Sequence, residues 1–205
     1  PTGAVEGIEA QWTELERAAG LCEAPFFPVA GNKNVTDLTI ERLYESRIGP
    51  LSYAFTYGNS RFIALDAEEQ DSADRLSDAQ VAWLKEDLEH TKANNVFLFL
   101  HRPFFSGDWD KAWSNVAEVL HDHPVRIVFA GDGHGYQYWG DRAGVRYVIS
   151  GSRGADRGTS EEEGGFVHYL LVRVRGIEVD WAVIRPGSIL PPDFITKAAI
   201  DEKQA

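Results

Sequence analysis

The spacing of apolar residues predicts that helices alternate with strands in the first two thirds of the chain. Ile8, Trp12 and Leu15 recur at helical spacing, so residues 5–19 are expected to form an amphipathic helix that ends at Gly20. A capping box at Ser77 marks the start of another helix. The helices expected after the first one are 36–48, 77–93 and about 109–122.

Nearly uninterrupted apolar runs predict the central strands. Residues 95–100 (NVFLFL) and 125–130 (VRIVFA) have the pattern of strands that are buried on both faces. The other expected strands are 25–30, 52–56, 61–66, 144–149, 166–174 and 176–184. Helices and strands in this order predict an α/β (α+β) fold, in which stacked mixed β-sheets are flanked by helices.

The length and composition predict one globular domain. The chain has 205 residues, of which 43% are apolar, and it contains no low-complexity segment. We expect residues 1–185 to form the domain and residues 186–205 to form a tail, because Pro191-Pro192 would interrupt a helix there.

The charge of the chain restricts its partners. The formal net charge is −12 and there is no long basic cluster, so we expect no nucleic-acid partner. No run approaches the 18 or so apolar residues that a membrane span requires, so we expect no membrane partner either.

Polar residues that can bind metals follow three of the predicted strands. Asn32 follows strand 25–30, His101 follows strand 95–100, and both Asp132 and His134 follow strand 125–130. Because ligands bind at the carboxyl ends of strands in α/β sheets, we expect these side chains to converge. Amide oxygens, imidazoles and carboxylates are ligands of divalent metals, so a metal site is predicted at this edge.

Each of these positions also has a purely structural interpretation. Residues 31–34 could form an ordinary Asn/Gly turn, and His101 could simply end its strand before Pro103. Arg102 and Arg153 lie in loops beside the predicted site, where each either holds a phosphate or faces solvent. His168 is expected on the surface of a strand.

The order of these motifs resembles the calcineurin-like metallophosphoesterase superfamily. A Gly-Asn turn is followed by a strand that ends in His-x-Pro and then by a Gly-x-x-His motif before an aromatic residue. Residues 53–59 (YAFTYGN), 76–84 (LSDAQVAWL) and 147–152 (YVISGS) are similar to segments of purple-acid-phosphatase-like members. The resemblance implies two divalent cations (Mn, Fe, Zn or Mg) and hydrolysis of a phosphorylated small molecule.

The resemblance also implies a role for each matching residue. Asn32, His101 and His134 match metal ligands of the family, and Asp132 stands in place of a further histidine ligand. Lys33 replaces the histidine that acts near the leaving group, so Lys33 and Asp132 are the candidate catalytic residues. A lysine can contact a phosphate as a point charge but is a poor proton donor at neutral pH.

The chain departs from the family pattern at its amino end. The Asp-x-His and Gly-Asp motifs of the family would lie before Pro1, so a sandwich that lacks its first strands and has an incomplete site is expected. Four candidate ligands are too few for two metals, which implies one ion, a second held weakly, or none. A weak or inactive phosphoester hydrolase is therefore expected, with a non-catalytic binding or assembly module as the alternative. Exposed sheet edges would allow pairing with a second copy.

Overall fold

The computed structural model describes residues 2–69, 74–151 and 160–204, and these residues form a mixed α/β structure with two sheets. The helices are α1 (Thr2–Ala19), α2 (Leu38–Arg47), α3 (Asp78–His90), α4 (Trp109–Ala112), α5 (Ser114–Leu120) and α6 (Lys197–Gln204). The strands are β1 (Tyr53–Tyr57), β2 (Ser60–Ala64), β3 (Asn95–Leu100), β4 (Val125–Ala130), β5 (Tyr136–Arg142), β6 (Val145–Ser150), β7 (Tyr169–Arg175), β8 (Glu178–Arg185) and β9 (Ser188–Leu190).

The larger sheet has six strands in the order β1-β2-β3-β4-β6-β5. Its four central strands are parallel, and the two outer strands, β1 and β5, pair antiparallel with their neighbours. The smaller sheet is antiparallel, in the order β7-β8-β9. The prediction of mixed sheets flanked by helices is therefore confirmed.

Local sequence signals account for several element boundaries. The carboxylate of Asp37 accepts hydrogen bonds from the backbone N–H groups of Thr39 and Ile40, which caps α2. The Ser77 hydroxyl accepts the N–H of Gln80 at 3.1 Å and caps α3 in the same way. Because these side chains satisfy N–H groups that have no partner within the helix, they set the starts of α2 at Leu38 and of α3 at Asp78.

Apolar cores lie on both faces of the larger sheet. One core packs this sheet against α3 and α5, and it includes the fully buried side chains of Leu84, Leu98 and Trp113. The other core packs the opposite face against the smaller sheet through Ile127, Val148 and other residues. Burial on two faces explains why β3 and β4 are apolar at almost every position.

Two predicted elements are wrong in detail. Residues 25–30 form no strand, because Pro25 and Pro28 have no backbone N–H to donate to a ladder. The predicted helix 109–122 is divided into α4 and α5 at Trp113, whose φ of −134° is not helical. The Trp113 ring is fully buried and its Nε1 donates to the Tyr147 hydroxyl at 3.3 Å, so tertiary packing overrides the helical pattern.

Two further elements lie outside the predicted ones. β5 was not expected, because residues 136–142 contain few aliphatic residues and a glycine, yet β5 pairs with β6. The expected tail, residues 186–205, contributes β9 and α6. Ile195 and Ile200 are buried in the core between the sheets, and the Ile195 carbonyl accepts the N–H of Tyr138 at 2.9 Å. Pro191-Pro192 precedes α6 and does not prevent it.

No helix within the described ranges is long and apolar enough to cross a lipid bilayer.

Candidate metal centre

His101 lies at the carboxyl end of β3 and is enclosed by two glycines. A Cβ added to Gly31 would lie 2.7 Å from Nδ1 of His101, and one added to Gly131 would lie 3.2 Å from the same atom. The imidazole therefore packs directly against the backbone of the 31–34 turn and against the residue that follows β4. Gly31 and Gly131 belong to two of the predicted motifs, and both lie against the histidine of the third.

Asp132 approaches the other side of the ring. Its Oδ1 lies 3.4 Å from Nε2 of His101, which is an ion-pair distance. Nε2 is nevertheless buried and forms no hydrogen bond to any described residue. A buried polar atom without a partner is unfavourable, so this nitrogen is suited to an additional ligand such as a cation shared with the Asp132 carboxylate.

The turn after β4 has a strained backbone. Asp132 and His134 have φ values of 57° and 52°, in the left-handed region that non-glycine residues rarely adopt. The turn is held from both sides, because the N–H of Gly133 donates to Gly131 at 2.6 Å and Gly151 packs against the backbone of His134. Strain that the surrounding structure maintains is common at functional sites.

The 31–34 turn is an ordinary hydrogen-bonded turn as well as part of the site. The Asn34 N–H donates to the Gly31 carbonyl at 2.7 Å, and its side-chain oxygen accepts the Gly31 N–H at 3.2 Å. Asn32 is half-buried and Lys33 is exposed. Neither side chain forms a hydrogen bond or ion pair with a described residue, so their roles stay predictions.

Arg102 binds a buried carboxylate. Its Nε lies 3.1 and 3.0 Å from the two carboxylate oxygens of Glu68, and one terminal nitrogen lies 2.7 Å from Oε2. The Glu68 side chain is 2% exposed and the Arg102 side chain 32%. This hydrogen bonding raises the pKa of Arg102, and the nearby Asp132 adds to the effect. Substrate binding by Arg102 stays a prediction, and Arg153 lies outside the described residues.

The described residues bring two candidate metal ligands, His101 and Asp132, into contact. In ranges 2–69, 74–151 and 160–204, no three His, Cys, Asp or Glu side chains group closely enough to hold a metal ion. His101 and Asp132 supply two donors, and the turns that carry Asn32 and His134 adjoin them. Dinuclear centres need more protein ligands than these two, so the number of ions that the chain holds stays a prediction.

The sequence interpretation missed a hydrogen-bonded pair beside the site. The Ser150 hydroxyl lies 3.1 Å from Nε2 of His168, and Nδ1 of the same ring lies 2.9 Å from the Phe166 carbonyl. His168 is buried, not on the strand surface as expected, and burial lowers its pKa. Strict alternation could have shown this, because residue 168 is in phase with the inward-facing residues Leu170 and Val172.

Replacing Gly31 by alanine is expected to displace His101 and to lower the free energy of unfolding by about 1–3 kcal/mol, since overpacking a close contact is destabilising. The new methyl group would lie within 3 Å of three atoms of the ring. Urea denaturation measures the change. Gly7→Ala is the matched control, because its Cβ would meet no atom within 4 Å and alanine is the better helix former. Equal stability of the two variants would contradict this packing.

Three solved proteins align with this chain to different degrees. Purple acid phosphatase from yellow lupin (Lupinus luteus) seeds aligns with a TM-score of 0.52 at 14% identity, over 82% of this chain and 33% of that one. PhoD aligns with a TM-score of 0.49 at 17% identity, over 80% and 48%. A dimetal phosphatase from Danio rerio aligns with a TM-score of 0.37 at 18% identity, over 55% and 52%.

These comparisons show the fold alone. The chain spans about a third of the length of the lupin protein that it matches. No protein-family model and no curated protein matches the sequence. The fold is similar to that of the lupin purple acid phosphatase over most of this chain.

Proposed function

Because the chain has this fold, we propose that it is a divalent-cation-dependent phosphoester hydrolase of low turnover. The observation that carries the proposal is the position of His101, whose buried Nε2 has no hydrogen bond among the described residues and faces Asp132 at 3.4 Å. An imidazole and a carboxylate that face each other in this way could both bind one divalent cation, which supports the proposal.

His101 and Asp132 would hold the cation, with Asn32 and His134 on the adjoining turns as the further candidate ligands. When bound, a divalent cation supplies Lewis-acid chemistry for a phosphoester. The exposed ammonium of Lys33 would attract the anionic substrate as a point charge. Gly31 and Gly131 fix the plane of the His101 ring, so that the chain presents Nε2 in one orientation.

Low turnover follows from what these residues lack. The second cation would have too few ligands, and a lysine cannot donate protons to a leaving group as efficiently as the histidine it replaces. Arg102 is held by Glu68, so much of its charge is balanced before a substrate arrives. A phosphorylated small molecule is the substrate class that a single cation with one neighbouring lysine would accept.

A second candidate function is a non-catalytic module that keeps the fold for binding or assembly. The observation that favours it is the same shortage of metal ligands in the described residues. The two functions differ in one measurable property, because only the first requires turnover that depends on a divalent cation.

Hydrolysis of bis-p-nitrophenyl phosphate and p-nitrophenyl phosphate in added Mn²⁺ separates the two functions. We expect slow turnover that EDTA abolishes and that His101→Ala reduces to background. His90→Ala is the matched control, since His90 is exposed at the end of α3 and should leave turnover unchanged. A well-folded chain without Mn²⁺-dependent turnover would favour the non-catalytic module.

A further inference from the structure

β7 has an open edge. Among the described residues it pairs only with β8, on one side. In an antiparallel pair, about half of the backbone N–H and C=O groups of such a strand point away from its partner. Some backbone N–H and C=O groups of β7 therefore have no strand partner among the described residues. The edge that carries them borders a groove of about 920 Å³.

The floor of this groove is a row of phenylalanines on the larger sheet. Phe62, Phe97, Phe99 and Phe129 come from β2, β3 and β4, and their rings stack with centroid separations such as 5.2 Å between Phe99 and Phe129. The inward side chains of β7 form one wall of the groove, namely Leu170, Val172 and Val174. Among the described residues that line the groove there is no aspartate, glutamate, lysine or arginine, so the groove suits uncharged side chains.

The groove lies over strands that are otherwise fully enclosed. β3 has neighbours on both edges, yet Phe99 near its carboxyl end is only half-buried. A second apolar hollow of about 750 Å³ shares Phe62 and Phe99 with the groove and continues toward Phe55 on β1. The smaller sheet therefore covers one part of this face and leaves the part over β2 and β1 without a covering strand among the described residues.

The unpaired backbone groups of β7 and the phenylalanines beside them together indicate which kind of molecule binds in the groove. A lipid or a small apolar ligand would cover the phenylalanines but would leave the N–H and C=O groups of β7 without partners. An extended polypeptide satisfies both, because its backbone pairs with the edge and every second side chain points to the floor. We propose that the groove receives one such strand, supplied from outside the 205 residues, which pairs with β7 and places uncharged apolar side chains on the phenylalanines.

A second intact copy does not fit the same groove. Antiparallel pairing of β7 with its copy would join the two smaller sheets and place both larger sheets on the same side of the joined sheet. The larger sheet extends past β7, since Phe62 of β2 lines the groove, so the two larger sheets would overlap. A single strand is thin enough to enter. His101 of the candidate metal site also lines this groove, but the inference does not require the proposed hydrolase activity.

Binding of a synthetic peptide tests the inference. The probe is a fluorescein-labelled peptide as long as β7, in which valine alternates with lysine and threonine, and the control peptide has the same composition with its valines grouped at one end. We expect the alternating peptide to bind, as measured by fluorescence anisotropy, and to slow hydrogen exchange at amides of β7. No binding, or equal binding of the two peptides, would overturn the proposal.

Two substitutions in β7 locate the binding face. Val172→Lys places a charge in the groove, whereas Leu171→Lys places it on the opposite, exposed face of the same strand. We expect Val172→Lys to weaken peptide binding at least roughly tenfold and Leu171→Lys to leave it unchanged. Hydrogen exchange at the amides of β7 is also measured without peptide. If it is already slow and the chain sediments as a dimer, a second copy occupies the edge, which would contradict the proposal. The exchange measurement on the unmodified chain needs no variant to fold.

Discussion

Arg102→Met is expected to lower the free energy of unfolding by about 2–3 kcal/mol. The Glu68 carboxylate is 2% exposed and would lose the cation that it is paired with. Removing one partner of a buried ion pair destabilises by about 3–5 kcal/mol, and the value is reduced here because the Arg102 side chain is about a third exposed. Urea denaturation at neutral pH measures the change.

The double variant Glu68→Gln with Arg102→Met supplies the control. Glutamine retains the shape of Glu68 but carries no charge, so the double variant is expected to recover much of the lost stability. A coupling free energy close to zero between the two positions would mean that the ion pair does not support the fold. The same variants test the predicted contact of Arg102 with substrate. If Arg102 serves only that contact, Arg102→Met should leave the free energy of unfolding unchanged and raise KM.

Asp66→Asn is expected to raise the free energy of unfolding at pH 7.5 by about 2–3 kcal/mol and to have little effect near pH 4. Burial raises the pKa of Asp66 to about 6, and the neighbouring Glu69, Glu41 and Glu68 add to the effect. A change from an ordinary value near 4 to about 6 corresponds to about 2–3 kcal/mol of free energy. Asparagine keeps the oxygen that accepts the Glu68 N–H at 2.8 Å.

The sign of this effect follows from where the proton is bound. Below pH 4 Asp66 is protonated in both states. Between pH 4 and about 6 it ionises in the unfolded chain but stays protonated in the folded one, so rising pH favours unfolding, and above about 6 the penalty is constant. The difference between the variant and the unmodified chain should therefore grow across this window. Urea denaturation at pH 4.5, 6 and 7.5 measures it, with the exposed Asp193→Asn as the control. Parallel stability curves would contradict the assignment.

Much of the fold could be predicted because most local signals agree with the tertiary packing. The apolar runs of β3 and β4 are buried on both faces, as their pattern predicts, and the capping residues Asp37 and Ser77 begin their helices. The errors occur where tertiary packing overrides the local sequence pattern. Trp113 leaves the helical conformation to reach Tyr147, and β5 forms because β6 offers it an edge, which periodicity does not show.

The candidate site could be predicted in part because strand ends in a parallel sheet lie along one edge. That rule correctly placed the residues after β3 and β4 together, and His101 meets both Gly31 and Asp132. The carboxyl end of β2 lies along the same edge and is followed by Asp66 and Glu68. Because β2 is parallel and adjacent to β3, it delivers Glu68 to Arg102, a contact that no spacing within either segment indicates.

The central claim is that His101 and Asp132 hold one divalent cation, and Mn²⁺ titration followed by electron paramagnetic resonance tests it most directly. The free ion gives the sharp signal, so its loss counts bound ions without requiring turnover. We expect one weakly bound Mn²⁺ per chain, lost in both His101→Ala and Asp132→Asn and retained in His90→Ala. Binding of no Mn²⁺, or of Mn²⁺ that persists when His101 and Asp132 are replaced, would contradict the account.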